Sequence, residues 1–284
     1  MIKVGNFAEF FGPRDPEGHK GSFGKCVCAV GSMGMAGAAV LSAKAALLCG
    51  AGLCKCVLPL EIYPIVSSAI PEATFSVWEG EKYLATLSKE IKTASAVLMG
   101  CGCGKSQLTE LAVKLCIDEC ECPLVIDADG INMLSRHINW LEKHSGEIVL
   151  TPHPAEMARL LKTDISTVQS DRKGVAGEFA RKYGVTVVLK GHGTVVAQKD
   201  GSVEVNPTGN PGMATGGSGD VLAGMTVSFL AQGMPAAKAA KAAVYIHGAA
   251  GDRAAQKKSQ RGMLPSDILL ELPSLFLEYE KGGK

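Results

Sequence analysis

The chain has no excess of charge of either sign: 29 basic residues stand against 28 acidic ones in 284, a formal net charge of +1. With no basic patch and no acidic tail, nucleic acid and anionic membrane are excluded as expected partners. No apolar h-region opens the sequence, which begins MIKVGNFAEFFGPRDPEGHK. A secretory signal is therefore not read, and a reducing cytoplasm is the expected compartment. No Pro/Ser-rich linker and no internal repeat divides residues 1–284, so a single domain is expected. Cysteine is missing from the second half, all ten residues lying between Cys26 and Cys122.

Those ten cysteines recur as Cys-x-Cys at 26/28, 54/56, 101/103 and 120/122. Zinc hooks use wider gaps and a second hook or histidines. A one-residue gap matches strand alternation, so the cysteines read as small buried hydrophobes. The uncharged run Cys26–Ala43 reaches the length at which a membrane helix is suspected. Its glycines at 31, 34 and 37, with Lys25 and Lys44 at its ends, fit strand–loop–helix instead.

Short β-branched runs alternate with helical patterns along the chain. Strands are expected at 26–30, 52–59, 96–99, 123–126, 148–150 and 186–189, with a hairpin of 193–197 and 202–205 across the Asp-Gly turn at 200–201. Helices are expected at 38–50, 106–119, 155–161, 170–183, 217–232, 236–257 and 265–272. Such alternation predicts an α/β fold, a mainly parallel sheet covered on both faces, with ligands beyond the carboxyl ends of its strands.

The densest signal is Asn206–Met225, NPTGNPGMATGGSGDVLAGM, with six glycines in twenty residues. Glycine-rich backbone entering a helix leaves unpaired N–H groups at the positive end of the helix dipole, an anion site. Asp220 stands at its mouth. A carboxylate beside phosphate costs repulsion unless it has a task, such as taking a proton from an attacking hydroxyl; the competing reading is a helix cap.

Other loops carry weaker signals. Gly31–Ala39 has a loose GxxGxxG, too weak for a dinucleotide fingerprint, yet its position makes it ligand-facing. Met99–Ser106 fails as a P-loop, because only three residues separate Gly100 from Gly104; it reads as a glycine-rich wall. Asp127 and Asp129 are spaced to share one side of an extended segment, open to magnesium–phosphate contacts or to a cap by Asp129. His153, between two prolines and three residues before Glu156, reads as a held ligand contact. Lys190 precedes flexible Gly-His-Gly-Thr backbone suited to a nucleotide phosphate.

Together KGSFGK, GMAGAA, VIDADGIN, LTPHPAE, VLKGHGT and the 206–225 stretch, in this order, resemble the NAD(P)H-hydrate dehydratase family of the ribokinase-like superfamily, from about His19 to Asp252. The resemblance is to a stand-alone form, and it departs where Gly100-Cys101-Gly102 replaces the usual Gly-Pro-Gly. It implies a three-layer α/β/α ribokinase-like fold and a lyase that repairs hydrated nicotinamide cofactor. The S epimer of NADH or NADPH hydrate would be phosphorylated by ADP (or ATP) and dehydrated, ADP yielding AMP and phosphate. By the same resemblance Ala38, Gly102, His153 and Asp220 contact the hydrate, with Asp220 as base. Lys190, Gly191, His192, Gly193 and Thr194, with Gly217, Ser218 and Gly219, hold the nucleotide. Mg2+ is expected on the phosphates, reached through water by Glu156 or Asp127. A homo-oligomer is expected. The rivals are a thiazole or pyrimidine alcohol kinase of the same fold and a cysteine-rich metal or redox-sensing protein.

Overall fold

The computed structural model describes Ile2 and residues 10–282. Part of the N-terminal stretch read for a leader lies outside the described residues. In chain order the elements are β1 (Lys25–Ala29), α1 (Ala36–Leu48), β2 (Leu53–Pro59), α2 (Tyr63–Ala69), β3 (Thr74–Trp78), α3 (Tyr83–Ile91), β4 (Ala96–Met99) and α4 (Gln107–Glu119). Then come β5 (Leu124–Ile126), α5 (Asp129–Leu134), β6 (Ile148–Leu150), α6 (Pro154–Leu161), α7 (Ile165–Ser170) and α8 (Arg172–Tyr183). The chain closes with β7 (Thr186–Leu189), β8 (Val195–Ala197), β9 (Val203–Val205), α9 (Ser218–Ala231), α10 (Ala236–Lys258) and α11 (Pro265–Gly282).

The strands form one sheet of order β3-β2-β1-β4-β5-β6-β7-β8-β9. Every pair is parallel except β7–β8 and β8–β9, the hairpin expected across Asp200-Gly201. Side-chain alternation along the strands feeds two cores. Cys26, Cys28, Cys54, Cys56 and Leu98 point to a layer built on α1, α9, α10 and α11. Val27, Ala29, Val57, Val97 and Leu124 point to the opposite layer of α3 to α8. The expected three-layer α/β/α architecture is the one observed.

Helix α9 lies close along α1. A Cβ added at Gly224 would fall 2.1 Å from the Ser42 carbonyl oxygen, so only glycine permits that approach. Ser228 Oγ then donates to Ala46 O at 2.8 Å, binding the two helices through a buried hydroxyl. Register between α1 and α9 sets where the N-terminus of α9 meets the loops after β1 and β4.

Some elements lack a clear sequence signal. Edge strand β3 is largely unburied, with the pattern exposed–partial–partial–exposed–partial, so no buried run marks it. α11 continues through Pro273 where the sequence predicts an end at residue 272; Leu272 and Leu275 are buried on the core side and hold the helix together across the missing N–H.

The paired strand cysteines behave as buried filler. Cys54 and Cys56 are at most 1% exposed, Cys28 and Cys54 sulfurs are 3.8 Å apart, and burial above all pushes the Cys26 thiol up. Among the described residues none of these joins a group of three metal-ligating side chains. Changing Cys54 and Cys56 to Ala is expected to cost about 1 kcal/mol each with turnover nearly intact. Denaturant unfolding and steady-state rates check this; abolished turnover or stoichiometric zinc would show it wrong.

Candidate active site

The site is built where the loops after β1, β4, β5, β6 and β7 meet the first turn of α9. Gly217, at φ +98°, lets the chain turn into the helix, and a Cβ there would meet Leu41 Cδ1 at 2.6 Å. Among the described residues no side chain caps the helix. Ser218 N donates to Thr215 O at 3.3 Å, whereas the N–H groups of Gly219 and Asp220 have no such partner among the described residues and are left for something outside the helix, which is the condition for binding an anion.

Asp220, in that first turn, is not the cap; it faces the loops. Its carboxylate oxygen, Cys101 Sγ and a carboxylate oxygen of Asp127 all lie within 4.8 Å of one another. Burial, followed by the like charge of Asp127, pushes the Asp220 carboxyl up to about 6. A carboxylate so placed is a stronger base than an exposed one, while still ionised at neutral pH.

Asp127 is 1% exposed and satisfied on both oxygens. Oδ1 accepts from Thr151 Oγ1 and from Lys190 Nζ, each at 2.7 Å, and Oδ2 accepts from the Cys101 thiol at 3.5 Å. Lys190 Nζ also lies 3.9 Å from Glu156 Oε2, and a Cβ added at Gly219 would fall 3.2 Å from it. The ammonium thus sits between two buried carboxylates and the uncapped helix end. Desolvation of Lys190 is opposed by Asp127 and Glu156, and the net direction is up, so it stays charged. Desolvation pushes Glu156 up to about 7 against the pull of Lys190.

His153 joins this network as the N-cap of α6. Its Nδ1 accepts from the N–H groups of Ala155 and Glu156 at 3.1 and 3.3 Å, while Glu156 Oε2 accepts from His153 N at 2.8 Å. This is a capping box with histidine in place of serine or threonine. Burial and then Lys190 push the imidazolium pKa down, so the neutral ring carries its proton on Nε2. The His-Pro-Ala-Glu spacing signals this box directly, with Pro154 in the first turn and Glu156 at the third helical position.

Ala38 and Gly102 form the facing wall. Gly102, at φ +64°, has no room for a side chain, since a Cβ would lie 2.7 Å from Ala38 Cβ. Ser32 Oγ donates to Gly102 O at 2.8 Å and Gly31 N to Cys101 O at 2.8 Å, tying the loops after β1 and β4 together. Across the site the 206–217 stretch is tied down by Asp252, whose carboxylate accepts from Gly209 N and Asn210 Nδ2, both at 2.9 Å.

Several expected residues stand apart. Asp129 does not share a side with Asp127. The chain turns at Ala128, φ +49°, and Asp129 opens α5 with its Oδ2 accepting from Gly104 N at 2.9 Å. The extended segment assumed for this pair ends at Ile126. The Ser218 hydroxyl is buried against His247 Nε2 at 3.4 Å, and its N–H donates to Thr215 O at 3.3 Å. Burial pushes that imidazolium down to about 4. In the loop after β7, Thr194 Oγ1 donates back to Gly191 O at 3.0 Å and the His192 side chain is exposed. Sequence reasoning passes over Cys101, Thr151 and Arg172; the first two touch Asp127 only because β4, β5 and β6 lie side by side.

A family model described as NAD(P)H-hydrate dehydratase matches residues 26–274. The ADP-dependent (S)-NAD(P)H-hydrate dehydratase of Neisseria meningitidis is 40% identical over 251 residues, covering 87% of this chain and 82% of the relative. A bifunctional NAD(P)H-hydrate repair enzyme of Moorella thermoacetica is 38% identical over 276 residues, covering 94% of this chain but 52% of the relative. The chain thus spans about half the length of the bifunctional relatives it matches. Among solved structures, the ADP/ATP-dependent NAD(P)H-hydrate dehydratase of Bacillus subtilis, co-crystallized with ATP/Mg2+, superposes with a TM-score of 0.84 at 29% identity, covering 95% of each chain. A ribokinase from Thermotoga maritima, 12% identical with a TM-score of 0.53 over 87% of this chain and 98% of its own, shares the fold alone.

Proposed function

The chain belongs to the NAD(P)H-hydrate dehydratase family, and we propose that it dehydrates the S epimer of NADH or NADPH hydrate at the expense of ADP, releasing AMP and phosphate. The observation that carries this reading is the uncapped first turn of α9 with a half-buried Asp220 beside Lys190 and Asp127. Asp220 takes the proton of the C6 hydroxyl as its oxygen bonds to the terminal phosphorus, and the bond from that phosphorus to the nucleotide breaks. The ring nitrogen then expels phosphate from C6, and loss of the C5 proton restores the dihydropyridine. Phosphorylation is needed because hydroxide leaves poorly and phosphate well.

The backbone of Gly217, Ser218 and Gly219 cradles the transferring phosphoryl, with Ser218 N shared with Thr215 O, and Lys190 offsets its charge. Gly191, His192, Gly193 and Thr194 hold the rest of the nucleotide. Ala38, Gly102 and His153 bound the hydrate, whose flat ring suits a wall without side chains at Gly102. Magnesium is a hard cation that takes oxygen ligands and keeps its waters. Asp127 and Glu156 offer the carboxylate oxygens, and because those of Asp127 are already taken by Thr151, Lys190 and Cys101, they would hold a phosphate-bound ion only through water, where it would neutralise developing charge.

The whole chain is proposed to work as one domain, in the cytoplasm, as a homo-oligomer. Among the described residues no helix is long and apolar enough to cross a membrane. Leu270 and Leu277, exposed by 68% and 49%, stand seven residues apart along α11, a spacing that suits a subunit contact. Sedimentation velocity showing a monomer at all concentrations would remove the oligomer, and cell fractionation tests the compartment.

Mixing the protein, magnesium, ADP or ATP and NADH hydrate should restore the reduced-nicotinamide absorbance while phosphate appears one for one with nucleotide consumed. Product formed without nucleotide would sink the mechanism. Phosphorylation of a small alcohol, with the hydrate untouched, would make the protein a kinase of the same fold.

A further inference from the structure

The loop proposed to hold the nucleotide, Lys190–Thr194, has one side-chain bond of its own, from Thr194 Oγ1 to Gly191 O at 3.0 Å, and otherwise little stiffness. Gly191 and Gly193 adopt φ +145° and +60°, and glycine restrains its backbone less than any other residue. Something else must hold it, and the contact comes from the opposite side of the loop. Arg172 is the first residue of α8, whose N-terminus is capped by Asp171 Oδ1 accepting from Gly174 N at 2.9 Å. From that fixed start its guanidinium reaches the loop and brackets it. Nη2 donates to Leu189 O at 2.8 Å and Nη1 to His192 O at 2.6 Å, carbonyls on either side of Lys190 and Gly191.

The peptide group explains what this does. C=O and N–H of one trans peptide point in opposite directions. Turning the Leu189 carbonyl onto Arg172 therefore turns the Lys190 N–H the other way, where it donates to Pro152 O at 2.8 Å. Turning the His192 carbonyl onto Arg172 likewise aims the Gly193 N–H to the far side of the loop. The guanidinium makes no salt bridge among the described residues, and its Nε is buried without a partner. A half-buried guanidinium given to two carbonyls, with its Nε shut off from water and no carboxylate within salt-bridge reach among the described residues, is a costly arrangement if packing were its only result. The planar fork, with parallel donors, is what lets one side chain fix two peptides.

From this bracket we infer that Arg172 is a positioning residue for nucleotide binding, holding the Lys190–Thr194 peptides in the orientation that receives the phosphates. The inference rests on the nucleotide role proposed for this loop. Lysine cannot do the same, since it offers a point charge rather than a fork. A cavity of about 430 Å³ bounded by Gln169, Arg172, His192, Gly193 and Val195 adjoins the guanidinium, so a small planar cation has room to enter if the side chain is removed.

The test is ADP binding by calorimetry, which needs no hydrate, on wild type, Arg172→Ala and Arg172→Lys, together with steady-state rates. ADP affinity and its KM should weaken about ten- to a hundredfold in Arg172→Ala and less in Arg172→Lys, because charge-assisted hydrogen bonds preorganise the site. At saturating nucleotide kcat should stay within about twofold, and melting without nucleotide should change little. Free guanidinium at non-denaturing concentration should tighten ADP binding by Arg172→Ala and not by wild type. Unchanged affinity in Arg172→Ala, beside normal binding by wild type, would overturn the inference alone. So would a loss that follows the melting temperature and resists guanidinium, which marks a structural role. Failure of wild type to bind nucleotide would overturn the functional reading and this inference with it.

Discussion

Asp220→Asn should lose about 10²- to 10⁴-fold in kcat while binding nucleotide as well as wild type or better. Asparagine matches aspartate in size and in capping strength, so helix chemistry is preserved. In any case Asp220 does not cap α9. What disappears is a carboxylate poised at about 6 by burial and by Asp127. The same substitution removes a negative charge from a phosphate site, which is why affinity can rise. A variant turning over near the wild-type rate would demote Asp220 from base to bystander.

Two pH dependences follow from that raised value. The base must be ionised, so wild-type kcat/KM should fall as pH drops through about 6. Stability moves the other way. A carboxyl that holds its proton more tightly in the folded chain than in the unfolded one stabilises the fold at low pH. That contribution is complete below the unfolded value of 3.8 and is lost as pH rises through about 6. Asp220→Asn has no such loss. It should therefore unfold at higher denaturant than wild type at pH 8, by on the order of 1–3 kcal/mol, and match it near pH 3.5. Equal stability at both pH values would mean that the carboxylate is better solvated than its burial implies.

How much of the site can be read from sequence depends on the range of each interaction. The loop before α9 is legible because its glycines and Asp220 act within one turn of the helix they open. Lys190 is legible as a cation on flexible backbone; that it reaches Asp127, 63 residues earlier, is set by β5, β6 and β7 lying side by side. Cys101 shows the limit most clearly. Strand alternation marks cysteine as filler and is right for Cys54 and Cys56, but Cys101 lies past the end of β4, where the chain turns its thiol to Asp127. Asp129 fails for a related reason: spacing by two has meaning only while the backbone stays extended, and it stops at Ile126. Arg172 carries no motif at all. Its work is done on backbone carbonyls, which every residue has.

Lys190→Met should be the most damaging single change in the site, and it should damage two separable properties. Methionine keeps much of the length of lysine and removes the charge. Asp127, 1% exposed, and Glu156, 4% exposed, would then be buried together without their cation. Removing one partner of such a pair leaves an uncompensated buried charge, a loss of about 3–5 kcal/mol. Glu156 already stands at about 7 against the pull of Lys190 and would rise further without it. A raised carboxyl favours the fold at low pH, so the loss should be larger at pH 8 than at pH 5. Nucleotide binding should vanish at both, because the ammonium stands beside Gly219 at the uncapped helix end. The double variant Lys190→Met/Asp127→Asn separates the two effects. It removes one buried carboxylate along with the cation, and should recover most of the stability but none of the ADP affinity. Urea unfolding at the two pH values and ADP calorimetry give the answer: a single variant that binds ADP normally would take Lys190 out of the nucleotide site, and a double variant no more stable than the single would show that the lost charge pairing is not what destabilises it.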